Sequence, residues 1–136
     1  MAGKIALFGR SYQVLEKSLD LRKQNHQYLA SNIANAQTPG YLPSHLHFEG
    51  QLREAISGQG EMKATHKDHF GLGPHGVQGV EGTLVTADRS GIGDENGVHM
   101  EEEMALLAEN QIKYEAAAKM LRGKLALMQY VIQQGK

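Results

Sequence analysis

With 136 residues, no Cys, no Trp and three Phe, the chain has the length of one domain but little bulky apolar material for a large core. Fourteen basic and 15 acidic residues leave a net charge of −1, without the broad positive field of a nucleic-acid binder, and the lack of cysteine excludes disulfides and thiolate chemistry. No apolar run approaches the ~20 residues that span a bilayer, and residues 1–10 lack the roughly 7–15 apolar residues and small-residue cleavage site of a secretory signal.

Residues 1–10 read as a flexible N-terminus and residues 11–37 as one helix. Tyr12, Leu15, Leu19, Arg22, His26, Leu29, Ile33 and Ala36 alternate steps of three and four, which places them on one helix face. Val14, Leu21 and Tyr28 widen this stripe on one side. Arg22 and His26 interrupt it, and His26 reads as a partly solvated residue at the stripe edge. Thr38, Pro39 and Gly40 stop the helix, because proline disfavours helix at the residue before it and Pro-Gly suits the centre of a type II turn. Pro43 keeps the chain extended, and Phe48, Leu52 and Ile56, four apart, predict a short helix.

Residues 57–97 are of another kind. They hold ten of the 16 glycines, too many for a helix of useful length, although Thr83 to Thr86 can make one short strand. Apolar content is concentrated towards the two ends, so the core is expected to come from the terminal segments, with the middle ordered only by its neighbours.

Residues 98–134 carry the clearest pattern. Met100, Met104, Leu107, Gln111, Tyr114, Ala118, Leu121, Leu125, Met128 and Ile132 form a heptad stripe without a break. Asp94 or Asn96 can cap its start and Gly135 can end it. Glu101, Glu102 and Glu103 early and Lys119, Arg122 and Lys124 late both suit the helix dipole. Gly123 costs ~1 kcal/mol relative to Ala inside a helix, which a close helix–helix approach would explain.

The fold class that follows is all-α. Long N- and C-terminal helices pair as a coiled coil, joined by a Gly-rich irregular middle segment (38–97) with little β structure, the whole forming one domain. The two stripes are expected to bury each other. Val14, Leu21, Tyr28, Leu106, Ile112 and Val131 are then candidates for surface left over, to be covered by copies of the chain or by another helix.

Nothing in the sequence assembles an active site. The letters Gly71-Leu72-Gly73-Pro74-His75-Gly76 match a dinucleotide fingerprint, but no strand precedes them and no helix can start there. His66, His69 and His75, with Asp68 and the upstream His45 and His47, could suggest a metal. They stand in a Gly-rich segment without a His-Glu-x-x-His pattern, and read as loop histidines. No serine sits in a nucleophile elbow. The reading therefore holds no catalytic residue, cofactor, metal, nucleic acid or small-molecule substrate.

One string remains. Ser31-Asn32-Ile33-Ala34-Asn35, then Thr38-Pro39-Gly40-Tyr41, closes a helix and leads into a turn. It closely resembles the N-terminal signature of bacterial flagellar rod and hook proteins. The stretch from Asp94 to Glu101, followed by Glu109, Asn110 and Tyr114, is similar to the C-terminal segment of the proximal basal-body rod subunit. In that subunit Asp-Gly-Asn is common where this chain has Asp94-Glu95-Asn96.

The resemblance implies a structural subunit of the periplasmic basal-body rod, exported without a cleavable signal peptide by the flagellar type III apparatus. It implies partners in other copies of the chain and in other rod and inner-membrane ring proteins. Ser31, Asn32, Ile33, Ala34, Asn35, Thr38, Pro39, Gly40 and Tyr41 would form an assembly motif in contact with neighbours. Leu15, Leu19, Leu29, Ile33, Met100, Met104, Leu107, Tyr114, Leu121, Leu125, Met128 and Ile132 would form the helix-packing interface. The rival is a small cytosolic helical-hairpin adaptor or chaperone that binds a partner helix, which accounts for the heptads but not for the string.

Overall fold

The computed structural model describes residues 2–57, 76–88 and 97–135, with side chains from residue 9 onward. Its frame is two long helices, α1 (Ala2–Ala34) and α3 (Met100–Gln134), each about 50 Å long at 1.5 Å per residue. Between them come β1 (Ser44–His47), α2 (Glu49–Ser57), a 3-10 turn (Gly76–Gly79) and β2 (Thr83–Thr86). The fold is all-α with one two-stranded sheet. The helix starts at Ala2, not at Ser11 as the stripe predicts, so the segment expected to be a flexible N-terminus is helical. His99, in extended conformation, occupies the cap position of α3 without a side-chain cap bond. The expected caps Asp94 and Asn96 lie outside the described residues.

The Pro-Gly turn forms as the sequence predicts. Tyr41 N–H donates to Thr38 C=O at 3.2 Å, and Gly40 takes a φ of 74°. That positive φ is the type II requirement that glycine meets without steric cost. The turn sends the chain back as β1, which pairs antiparallel with β2 in the register Ser44 with Thr86 and His47 with Thr83. The strand at residues 83–86 is the one that the sequence predicts; β1 is an addition. Period-two alternation points Leu46 into the core and His45 the other way, towards α3.

The core departs from expectation. Leu21 of α1 packs with Leu46, Phe48, Leu52, Ala55, Val77 and Val80, with Val14 and Tyr28 at its edge. All but α1's share comes from the middle of the chain, and α3 supplies nothing to this cluster. Leu21 is almost fully buried, and Val14 and Tyr28 are half-buried, so the residues expected as leftover surface on α1 are core. Arg22, which interrupts the stripe, has its reason here: its guanidinium lies 5.3 Å from the Phe48 ring centroid and bonds Glu49.

The two terminal stripes are buried only in part: Leu29 is buried, and Leu15, Leu19 and Ile33 of α1 and Ala118 of α3 are half-buried. The helices meet along a polar seam. Asn32 pairs with Glu103 and Asn25 with Asn110, so seven residues forward on α1 is seven back on α3, and the pair is antiparallel. The same step falls on Ser18 and Ala117, both buried. Met100, Met104, Tyr114, Leu125, Met128 and Ile132 of the predicted stripe are exposed, while Leu107 and Leu121 are half-buried. Leu106, Ile112 and Val131 are exposed, as expected of leftover surface. Gly123 has nothing within 4 Å of an added Cβ, so no close approach within the chain explains it.

Gly82 is the glycine that the core needs. Its φ is +76°, and a Cβ there would stand 3.0 Å from Leu46 Cδ1 and 3.2 Å from Phe48 Cβ. Left-handed backbone costs a non-glycine residue roughly 1–2 kcal/mol, and the crowding adds to it. Gly82→Ala should lower the urea unfolding midpoint by at least that free energy. An unchanged midpoint would show that β2 is not fixed against the core as described.

Candidate functional site

The signature string folds into a closed set of hydrogen bonds. Asn35 Nδ2 donates to Ser31 C=O at 2.9 Å, and Thr38 hydroxyl donates to Asn35 Oδ1 at 3.3 Å. These bonds occupy backbone and side-chain groups at the helix end, where the last carbonyls have no partner inside the helix. Thr38, Pro39 and Gly40 stand exposed at the tip of the turn, as do Ser31 and Ala34, while Ile33, Asn35 and Tyr41 are half-buried.

Asn32 is the centre, with no exposed surface. Its Nδ2 donates to Ser44 C=O and to Glu103 Oε2, both at 3.0 Å. Its Oδ1 accepts from Ser44 N–H and from the Tyr41 hydroxyl, both at 3.1 Å. An asparagine side chain offers two donor hydrogens and two acceptor lone pairs, and all four are used. Tyr41's single hydroxyl hydrogen goes to Asn32, so the Ser31 hydroxyl, 3.2 Å away, donates to Tyr41. The amide thereby mimics a strand neighbour for Ser44 and ties α1, the turn, β1 and α3 at one point.

Glu103 extends the network. Only 4% of it is exposed. Its second carboxylate oxygen accepts from His45 Nε2 at 2.7 Å, so that ring nitrogen carries the hydrogen. About two turns along α3, Asn110 Nδ2 donates to the C=O of Arg22 at 2.9 Å, and Asn25 reaches Asn110 Oδ1 at 3.5 Å. No buried side-chain polar atom among the described residues lacks a partner.

The helix pair also carries an ion network at its rim. Glu49 accepts from Arg22 at 3.2 Å and from Lys113 at 2.9 Å, and Lys113 also bonds Glu109. The Lys113 hydrogen bond does most to hold the Glu49 carboxyl below its usual range; burial opposes it, and the Arg22 hydrogen bond adds to the lowering. Glu109, then Glu49, raise Lys113.

The charged cleft beside α3 is thus lined by groups engaged with one another. Among the described residues no cluster of three His, Cys, Asp or Glu could hold a metal ion. His66 and His69 lie outside the described residues, as do His75 and most of the Gly71-to-Gly76 string. His45 is spent on Glu103, and His26 is solvent-exposed. No described helix is long and apolar enough to cross a membrane.

Sequence reasoning singled out the string but gave it to neighbours, whereas Asn32 spends its whole bonding capacity inside the chain. Its partners Ser44 and Glu103 were missed, as were the bonds of His45 to Glu103 and of Asn110 across the helix pair. A signal for them exists in the spacing: Ser18, Asn25 and Asn32 recur every seven residues on α1, as Glu103, Asn110 and Ala117 do on α3.

No protein-family model matches the sequence. The chain is similar to the flagellar basal body rod protein FlgB of Yersinia enterocolitica, with 31% identity over 126 residues that cover 88% of this chain and 91% of the relative. It is 33% identical over 110 residues to FlgB of Cereibacter sphaeroides strain ATCC 17029, covering 81% and 84%. Against FlgB of Bacillus subtilis it is 27% identical over 132 residues, covering 97% of this chain and all of the relative.

Two outcomes follow from the networks. Asn32→Ala strands Ser44 N–H and one oxygen of Glu103 in a buried site, and should cost about 3 kcal/mol in denaturant unfolding. In a double-mutant cycle with Glu103→Ala the two losses should sum to more than the double variant's, since they share one bond; strict additivity would refute the shared network. Glu49, lowered when folded, contributes stability that is present above its ordinary 4.5 and is lost as pH falls through the folded value. Both partners are more than a third exposed, so screening limits this contribution to below ~1 kcal/mol. Glu49→Gln should flatten the acid limb of the stability profile by that small amount and leave the neutral-to-alkaline shape unaltered.

Proposed function

The chain belongs to the FlgB family of flagellar basal body rod proteins, and from that premise we propose how this structural rod subunit assembles: helically, through its two terminal helices, with copies of itself and with other rod and inner-membrane ring proteins. On this reading the chain leaves the cytoplasm through the flagellar type III export apparatus and works in the periplasmic rod. The tip of the turn at Thr38, Pro39 and Gly40, exposed while Asn32 is closed off, is the part of the signature left to meet neighbours.

The observation that carries this reading is the unpaired apolar surface of α3. Met120, Leu125, Leu127, Met128, Tyr130, Val131 and Ile132 are all exposed, seven large side chains within 13 residues. Scattered surface hydrophobics need no explanation, but a contiguous set of this kind marks a contact surface. A contact between different faces of identical chains repeats without closing into a dimer and yields a helical array. A lone adaptor hairpin would need the same surface, but the family match gives it no support. The relatives are structural rod proteins, and the networks above bind the chain to itself and present no reacting group.

A deletion strain should stop flagellum assembly at the inner-membrane stage, and normal filaments in it would refute the rod role. Val131→Asp and Ile132→Asp change side chains that are already solvated, so the folded subunit should lose less than ~0.5 kcal/mol. Both variants should be made and exported but excluded from isolated basal bodies. Incorporation at the parent's level would remove the terminal helices from the assembly interface.

A further inference from the structure

The chain has no cysteine and six methionines, so thioethers are its only sulfur. Four of them have described side chains, Met100, Met104, Met120 and Met128, and all four lie exposed on α3. The core holds none: the cluster around Leu21 is built from Leu, Phe, Ala and Val. The polar seam draws on Asn, Ser, Glu and Ala. Among the described residues, sulfur is thus confined to surface that the subunit leaves uncovered. An oxidant reaches it without opening the fold.

Two of the four stand in the apolar stretch that carries the assembly reading. Met120, 62% exposed, and Met128, 43% exposed, share it with Leu125, Leu127, Tyr130, Val131 and Ile132. Those neighbours are hydrocarbon side chains and one phenol, which peroxide leaves intact. Oxidation turns a flexible apolar methionine into a polar, chiral sulfoxide. On the free subunit water solvates the new oxygen. Buried against a neighbour's apolar surface without a donor, the same oxygen is costly. The change therefore weighs on the contact between subunits and not on the subunit's own packing.

We propose that Met120 and Met128 are modification sites through which a peroxide-class oxidant blocks assembly of the free subunit. The oxidant transfers one oxygen to each thioether. An S–O bond forms, the O–O bond breaks, sulfur gives up two electrons and the peroxide leaves as water. A methionine sulfoxide reductase returns the product to the thioether, so the block is reversible. The oxidised chain keeps its fold, because neither residue belongs to the core cluster or the seam. It loses the apolar match that a neighbour requires. In a subunit already in the rod the contact covers both sulfurs and protects them. This rests on the rod-subunit reading and adds a chemical control to its contact surface.

The test treats the purified full chain, and basal bodies isolated from cells that carry it as the sole copy, with hydrogen peroxide, and follows each methionine by peptide mass. In the free chain Met120 and Met128 should each gain one oxygen while the circular dichroism stays unchanged. In basal bodies both should react at least tenfold more slowly. Equal rates in the two states, or loss of helix signal in step with oxidation, would overturn the proposal. Met120→Gln with Met128→Gln then puts a polar, uncharged side chain where each sulfoxide would stand. This pair should be made and exported with helicity unchanged, yet enter basal bodies at a tenth of the parental level or less. The volume-conserving pair Met120→Leu with Met128→Leu should enter at the parental level. Parental incorporation of the Gln pair would overturn this proposal alone, whereas absence of the parental chain from basal bodies would overturn the rod reading and this proposal with it.

Discussion

The structure depends on one saturated amide. Asn32 has four hydrogen-bonding valences, and α1, the Pro-Gly turn, β1 and α3 each hold it or are held through it. A buried amide with any valence unmet is costly, so this geometry is restrictive in all directions at once. It fixes where α1 ends and the angle at which the chain turns back. It also fixes how far along α1 the start of α3 must sit. Once Glu103 is opposite Asn32, Asn110 arrives opposite Asn25 without a further choice, since both helices share the same repeat.

A polar seam explains the unusual division of labour in this chain. Pairing two helices through Asn, Ser, Glu and Ala contributes little apolar burial, so the hairpin gains register more than adhesion, as a buried polar residue does in coiled coils. Adhesion within the subunit comes instead from the cluster under α1, where β1, α2 and the 3-10 turn cover Leu21. The seam thus leaves Met100, Met104, Leu125, Met128 and Ile132 of the α3 heptads exposed. A hairpin sealed by those heptads would be more stable alone and would have nothing left with which to join its neighbours.

Much of this was legible in the residues, and the misreadings have physical causes. The terminal helices, the type II turn at Pro39-Gly40, the short helix after Phe48 and the strand at Thr83 to Thr86 follow from periodicity, fixed dihedrals and β-propensity, which are local. The facing of the helices is not local. Apolar stripes on both helices invite the inference that they meet, and only the matched heptads of Asn25, Asn32, Glu103 and Asn110 argue otherwise. Those heptads gain meaning when the antiparallel register is known. β1 was invisible for a similar reason: Ser44-His45-Leu46-His47 has weak strand character, and it is extended because Asn32 supplies its outer hydrogen bonds and β2 its inner ones. The signature string was recognised, but Asn32 within it turns inward, since a motif shared within a family can hold the fold as readily as touch a partner.

Charge and small residues complete the logic of exposure. An apolar surface that must stay available to identical chains risks closing on itself symmetrically, and α3 guards against this by its own polarity. Its acidic half repels a second acidic half, as its basic half repels a basic one, while unlike halves attract. The acidic start opposes the helix dipole favourably, whereas the last turn of α3 carries no basic residue. Order within the subunit is set by one face of α3, through Glu103 and Asn110, while Ile112 and its small neighbours stand exposed on the other.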